Sequence, residues 1–199
     1  MCKNMPPLEL AIQFHGHICP GLLMGVRAAE FALEKLAVDP DVDEELVAVV
    51  ETDSCGVDAI QSILGCTFGK GNLIFKDFGK NVYTIGSREK NRAIRIAQRY
   101  GVKFSPDWPR YKALADLKSP SQEELREKES ILGAMFEKVM TMPFEELFKW
   151  EEVAFEMPGK AQIVETVQCQ KCGEGVMKTR TVTSGDGIIC LSCAASEVA

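Results

Sequence analysis

The sequence predicts an α+β core built on a mixed β-sheet, followed by a small cysteine-bound module. Helix-periodic stretches alternate with short continuous apolar runs, the pattern of helices packed on a buried sheet. Two of these runs, Leu73 to Phe75 and Val82 to Ile85, lie too close together for a helical crossover, which disfavours an all-parallel sheet. Near the end, Cys169, Cys172, Cys190 and Cys193 are laid out as C-x2-C, seventeen residues, C-x2-C. That spacing lets two thiolate pairs close over one tetrahedral ion, and a sulfur-only site selects zinc or iron over magnesium or calcium.

Taken in order, Leu8 to Phe14 reads as a short helix running into a Gly/His/Cys/Pro loop. Pro20 suits the first turn of the next helix, where its missing N–H costs nothing. Leu22, Leu23, Val26, Ala29, Leu33 and Leu36 form one apolar face of that helix, and Val38-Asp39-Pro40 ends it. Leu46 to Val50 is a buried strand, and Val57 to Leu64 a helix that Asp53 could cap. The strands at Leu73 to Phe75 and Val82 to Ile85 form a hairpin-like pair. Ser87 is read as the cap of a basic helix reaching Tyr100, with Gly101 as its stop. Ser105 to Pro109 is a loop. Ser121 and Glu124 cap a long helix towards Met140, Pro143 opens a short one, and Val153 to Met157 forms an edge strand. Met135, Met140 and Met142 are core packing rather than a metal box. Pro158-Gly159-Lys160 is a hinge, dividing a core of residues 1–158 from a module of residues 159–199.

Composition narrows the class. With 199 residues, 46% of them hydrophobic, the chain can bury a core and carry one small extra unit. No apolar run is long enough to span a membrane, and the start lacks the features of a secretory signal. Its eight cysteines, Cys2 among them, stand in CxxC pairs or beside histidines, which points to reduced thiols in a cytoplasm; a disulfide framework is the competing reading. The net charge of −6 argues against nucleic acid as a partner. Around the terminal cysteines Lys160, Lys171, Lys178 and Arg180 are offset by Glu165, Glu174 and Asp186.

The chemistry concentrates elsewhere. His15 and His17, the chain's two histidines, alternate with Cys19. In an extended segment all three would face one side and could bind a metal with a coordination position left open. Cys19 precedes a helix, whose N-terminus favours the thiolate. Cys55 follows the buried strand and could complete the set, with Asp53 or Asp58 orienting an imidazole or serving as acid and base. Gly65 to Asn72 fails as a phosphate loop, because its spacing is one short and Gly71 replaces the magnesium-binding hydroxyl. It remains a pocket wall in which Lys70 supplies charge and Cys66 a thiol. No CxxC occurs outside the terminal module, and no G-x-S-x-G, H-E-x-x-H or G-x-G-x-x-G is present.

The stretch Phe14-His15-Gly16-His17-Ile18-Cys19-Pro20-Gly21-Leu22 followed by Gly25-Val26-Arg27-Ala28 closely resembles the signature of the FmdE family, proteins named for formylmethanofuran dehydrogenase. Asp53 to Gln61, Gly65 to Leu73, Asp77 to Lys80 and Tyr83 continue the likeness. The resemblance implies a thioredoxin-like core without a redox CxxC, a treble-clef or zinc-ribbon-like module behind it, and homodimers. It also implies a site holding zinc or another thiophilic metal on His17, Cys19 and Cys55, with His15, Asp58, Cys66 and Lys70 nearby. Family context adds a link to molybdenum or tungsten enzymes of one-carbon metabolism, so molybdoenzyme subunits become candidate partners. The expected function is a metal-binding accessory or enzyme of such a system. The alternatives are an interaction protein with a zinc finger, or a zinc-dependent hydrolase of small amides or esters.

Overall fold

A computed structural model describes residues 5–185 and 187–196, so Cys2 and Asp186 lie outside the described residues. The chain divides into two compact units, Met1–Lys160 and Ala161–Ala199. No helix among the described residues is long and apolar enough to cross a membrane.

The first unit is α+β with a mixed five-stranded sheet in the order β2-β1-β3-β4-β5. Helices α1 (Pro7–His15) and α2 (Pro20–Leu36) lead into β1 (Leu46–Val50). Strand β1 is joined through α3 (Gly56–Leu64) to its parallel neighbour β2 (Leu73–Phe75). The remaining strands, β3 (Val82–Ser87), β4 (Arg92–Gln98) and β5 (Phe148–Glu152), each pair antiparallel with the previous neighbour in the sheet. Thus β2 and β3, the hairpin-like pair of the sequence, do not touch; they flank β1 on either side. Between β4 and β5 the chain detours through α4 (Trp108–Ala115), α5 (Gln122–Thr141) and α6 (Phe144–Leu147).

The core lies between the sheet and α2 and α3. Leu46, Ala48, Val50, Tyr83, Ile85, Ile94 and Ile96 from the strands meet Leu22, Leu23, Val26, Ile60 and Leu64 from the helices. Each fully buried Leu or Ile contributes about 1.5–3 kcal/mol relative to exposure. Val47 and Val49 are buried on the other face of β1, where the segment after β5 lies across the sheet, Met157 and Phe155 resting on Gly86. Helices α2 and α3 approach so closely that a methyl group on Gly25 would sit 2.6 Å from the Cα of Gly56. The long helix α5 is fixed at both ends. Ser121 and Glu124 form a capping box at its start, and Arg27 donates to the carbonyls of Val139, Met140 and Met142 at 2.7, 2.7 and 2.9 Å. A guanidinium there satisfies the terminal carbonyls and opposes their partial negative charge.

Three local expectations give way to tertiary pairing. The segment from Ser87 to Tyr100 is not a basic helix but the turn of a β-hairpin and β4. Asn91 adopts a left-handed conformation (φ 48°), and Ser87 Oγ accepts from Lys90 N at 3.2 Å. The same side-chain-to-backbone bond serves a helix cap or a turn; alternate burial of β-branched Ile94 and Ile96 decides for the strand. The final strand is Phe148–Glu152 rather than Val153 to Met157, held in register by Arg92 and Glu152 at 2.5 Å. Helix α4 begins at Trp108, inside the expected loop, with Pro109 tolerated in its first turn.

In the second unit, β6 (Thr166–Gln168) pairs with β7 (Gly175–Met177), and β8 (Thr181–Ser184) with β9 (Gly187–Cys190), which leads directly into α7 (Leu191–Ala195). Its small buried centre is Cys169, Ile189 and Cys190.

Candidate metal centres

In the first unit the candidate site forms where α1 ends, α2 begins and α3 begins. His15 is the last residue of α1, and Gly16 turns the chain with φ 90°, a conformation that glycine adopts without cost. Cys19 then caps α2, its Sγ accepting from Leu22 N at 3.4 Å. The alternation His-x-His-x-Cys therefore converges through a helix end and a turn, not through the extended segment that the spacing suggested. Donor atoms of His15, His17 and Cys19 all lie within 4.8 Å of one another. The two imidazole rings are 4.4 Å apart, and His15 Nε2 is 3.9 Å from Cys19 Sγ.

Asp58, in the first turn of α3, fixes His15. Its Oδ2 lies 2.6 Å from His15 Nδ1. A carboxylate only accepts, so Nδ1 carries the hydrogen, and Nε2 is directed at the Cys19 side as a potential ligand. This partner comes from 43 residues away. His15 is 11% exposed and Asp58 34%, whereas His17 is exposed. Two imidazole nitrogens and a thiolate suit zinc or another thiophilic ion, and three protein donors leave a coordination position free.

Cys55 caps α3 without a side-chain bond to the helix. It lies beside Cys19, both sulfurs 4.0 Å from the position a methyl on Gly21 would take, but it is not one of the three residues that converge within 4.8 Å. Burial raises the Cys19 thiol above its ordinary value; the Leu22 amide opposes this and the Cys55 thiol adds to it. The expected preference for thiolate at a helix start is thus outweighed by desolvation in the ion-free chain. Under Cys55, the phenol of Tyr83 abuts Gly56, pushed up to about 12 by burial and so neutral. The sequence had marked Tyr83 only as part of a motif. Asp53 is exposed and caps nothing.

Cys66 and Lys70 belong to the opposite end of α3. Asp58 and Leu64 are separated by about 9 Å of helix, and beyond Leu64 the loop turns back on Asp41. Lys70 Nζ bonds Asp41 Oδ2 at 2.6 Å and Asn72 Nδ2 does so at 2.7 Å, with the Asp41 side chain fully buried. Cys66 is fully buried, its thiol pushed up to about 12. These residues pin the loop to the core and do not join the His/Cys group.

The second unit gathers Cys169, Cys172, Cys190 and Cys193 within the same 4.8 Å limit. Cys169 and Cys172 sit in the β6–β7 turn, where Gly173 has φ 77°. Cys190 caps α7 and accepts from Cys193 N at 3.4 Å. Amides of Cys172 and Cys190 draw the Cys169 thiol down to about 6. Four sulfurs fill a tetrahedral shell, a closed and hence structural arrangement. Among residues the sequence left without a role, Arg27 is the clearest: a charge on an otherwise apolar helical face was its signal.

Comparison with known proteins adds three findings. Residues 14–149 match the family described as "FmdE, Molybdenum formylmethanofuran dehydrogenase operon". A protein of Archaeoglobus fulgidus named "Probable S-adenosyl-L-methionine-binding protein" is 36% identical over 197 residues, covering 95% of this chain and 52% of the relative. The chain therefore spans about half that relative's length. A crystal structure of a tungsten formylmethanofuran dehydrogenase FmdE-like protein from Syntrophus aciditrophicus superposes with a TM-score of 0.59 at 24% identity, covering 95% of this chain and 90% of the other.

Proposed function

Because this chain belongs to the FmdE family, we propose that its larger unit binds a thiophilic metal ion, zinc foremost, and serves molybdenum- or tungsten-dependent one-carbon metabolism as an accessory or enzyme. The observation that carries the reading is the convergence of His15, His17 and Cys19, with Asp58 orienting one imidazole. Among them His17 and Cys19 hold the ion with His15, and Cys55 stands next to Cys19 as a further sulfur. A bound ion with an open position would act as a Lewis acid towards a small ligand. The chain's own residues do the rest: Asp58 fixes the tautomer of His15, Gly16 sets the turn, and the close contact of α2 with α3 holds both halves together. The assignment to formylmethanofuran dehydrogenase rests on the family's name, and molybdoenzyme subunits are the partners it suggests.

The second unit is read as a zinc-stapled treble-clef-like module, supported by a cysteine turn, a β-hairpin and a helix whose first turn carries the last cysteine. A thioredoxin-like description of the core, a homodimer and a cytoplasmic location belong to the same reading. Metal analysis of the full chain tests the main claim. Two ions per chain are expected, falling to one in His17→Ala and in Cys19→Ala; a parent chain with one ion, unchanged by either substitution, sinks it. A second reading takes S-adenosyl-L-methionine as a ligand, on the strength of the 36% identity to the Archaeoglobus relative. Equilibrium dialysis against that compound tests it directly.

A further inference from the structure

We propose that a cleft beside Cys19 receives the apolar body of a small organic carboxylate, making it the selectivity pocket of the core site. This rests on the core His/Cys group being the functional centre. The cleft is walled by Pro20, Val102, Lys103, Phe104, Trp108 and Met135 and encloses about 260 Å³. Pro20 is bonded to Cys19, so the cleft and the donor group meet at the start of α2. Ligand sites for whole small molecules usually enclose about 300–1,000 Å³. This cleft therefore holds one portion of a ligand, about the size of a ring, and leaves the polar end to the neighbouring donors.

Its walls have the chemistry for that portion. Met135 is 1% exposed and forms a polarizable floor. Trp108 is 45% exposed at the mouth, stacked on Tyr111 with centroids 5.4 Å apart. An indole held by stacking offers a rigid apolar face at small entropic cost. The floor is fixed as well, because Arg27 ties the end of α5 to α2. Lys103 has no ion-pair partner among the described residues, so the rim favours an anion. An apolar body with a carboxylate satisfies both the walls and the rim, and its carboxylate end is left towards the His/Cys group.

Phenylacetate and acetate are suitable probes. With the zinc-loaded full chain, calorimetry should show phenylacetate binding at least about tenfold more tightly than acetate, as burial of a phenyl ring requires. Trp108→Ala should remove that preference without changing the zinc content, and Lys103→Gln should weaken both probes alike. In Trp150→Phe, which leaves Trp108 as the remaining tryptophan of two, fluorescence should respond to phenylacetate. Equal affinity for both probes in the parent chain overturns the pocket, as does a preference that survives both Trp108→Ala and Phe104→Ala. The metal reading is judged separately by ion stoichiometry. A chain that takes up a single ion yet still prefers phenylacetate keeps the pocket and loses the core ion.

Discussion

The two metal-type clusters are built on opposite principles. In the second unit all four donors are sulfurs, set pairwise in one tight turn and one helix start, and each pair is held by amides of its own neighbourhood. In the first unit the donors are mixed, one imidazole is exposed, and the residue that orients the other comes from a different helix. The first arrangement is closed and local, suited to holding a small fold together; the second is open and depends on the packing of three helices. A structural ion needs only the right turns, whereas a reactive one needs a scaffold that keeps a position free.

The sharpest way to break this contrast is to remove one sulfur from the closed site. Cys172→Ser should release that unit's ion and unfold residues 161–199, since structural zinc supplies about 10–16 kcal/mol to such modules. Amide dispersion by NMR should collapse there and persist in the first unit; persistence in both would show that the cysteine cluster is not what folds the module. Next, Gly25→Ala drives a methyl group into Gly56 and should cost about 1–3 kcal/mol, read as a lowered Tm of the first unit alone. The same variant should loosen the core ion, because it separates α2 from α3. Asp58→Asn leaves the fold intact but takes away the carboxylate acceptor of His15. A loss of about 10–100-fold in core-ion affinity is expected, by competition with a chromophoric chelator, while the four-cysteine site is unaffected. The smallest effect is assigned to Cys55→Ala. Its sulfur stands outside the convergent trio, so the affinity should fall by less than in Cys19→Ala; an equal loss would make Cys55 a ligand.

Much of this was legible in the sequence where the interactions are local. The C-x2-C pairs specify their own turns, so Cys169, Cys172, Cys190 and Cys193 could be grouped from spacing alone. The buried strand Leu46–Val50 and the helix from Pro20 to Leu36 were readable because a continuous apolar run and a 3.6-residue period each have one natural partner, a core. The hairpin of β3 and β4 was not readable in the same way. Ser87 and the arginines after it suit a helix as well as a turn, and only the neighbouring strand, slotting against Ile94 and Ile96, settles the choice. The detour through α4 and α5 was similarly obscured, its first turn hidden behind Trp108-Pro109.

By itself, the sequence determined the order of elements, the four-sulfur cluster and the presence of two histidines beside a cysteine, because each depends on residues a few positions apart. Only the tertiary structure decided that Asp58 holds His15, that Cys55 stands next to the trio rather than within it, and that Lys70 is bound to Asp41. It also decided that Pro20, Trp108 and Met135 enclose a cleft. These are encounters between segments tens of residues apart. They are fixed by how closely α2 can approach α3 and by where α5 is tied down, which no local spacing encodes.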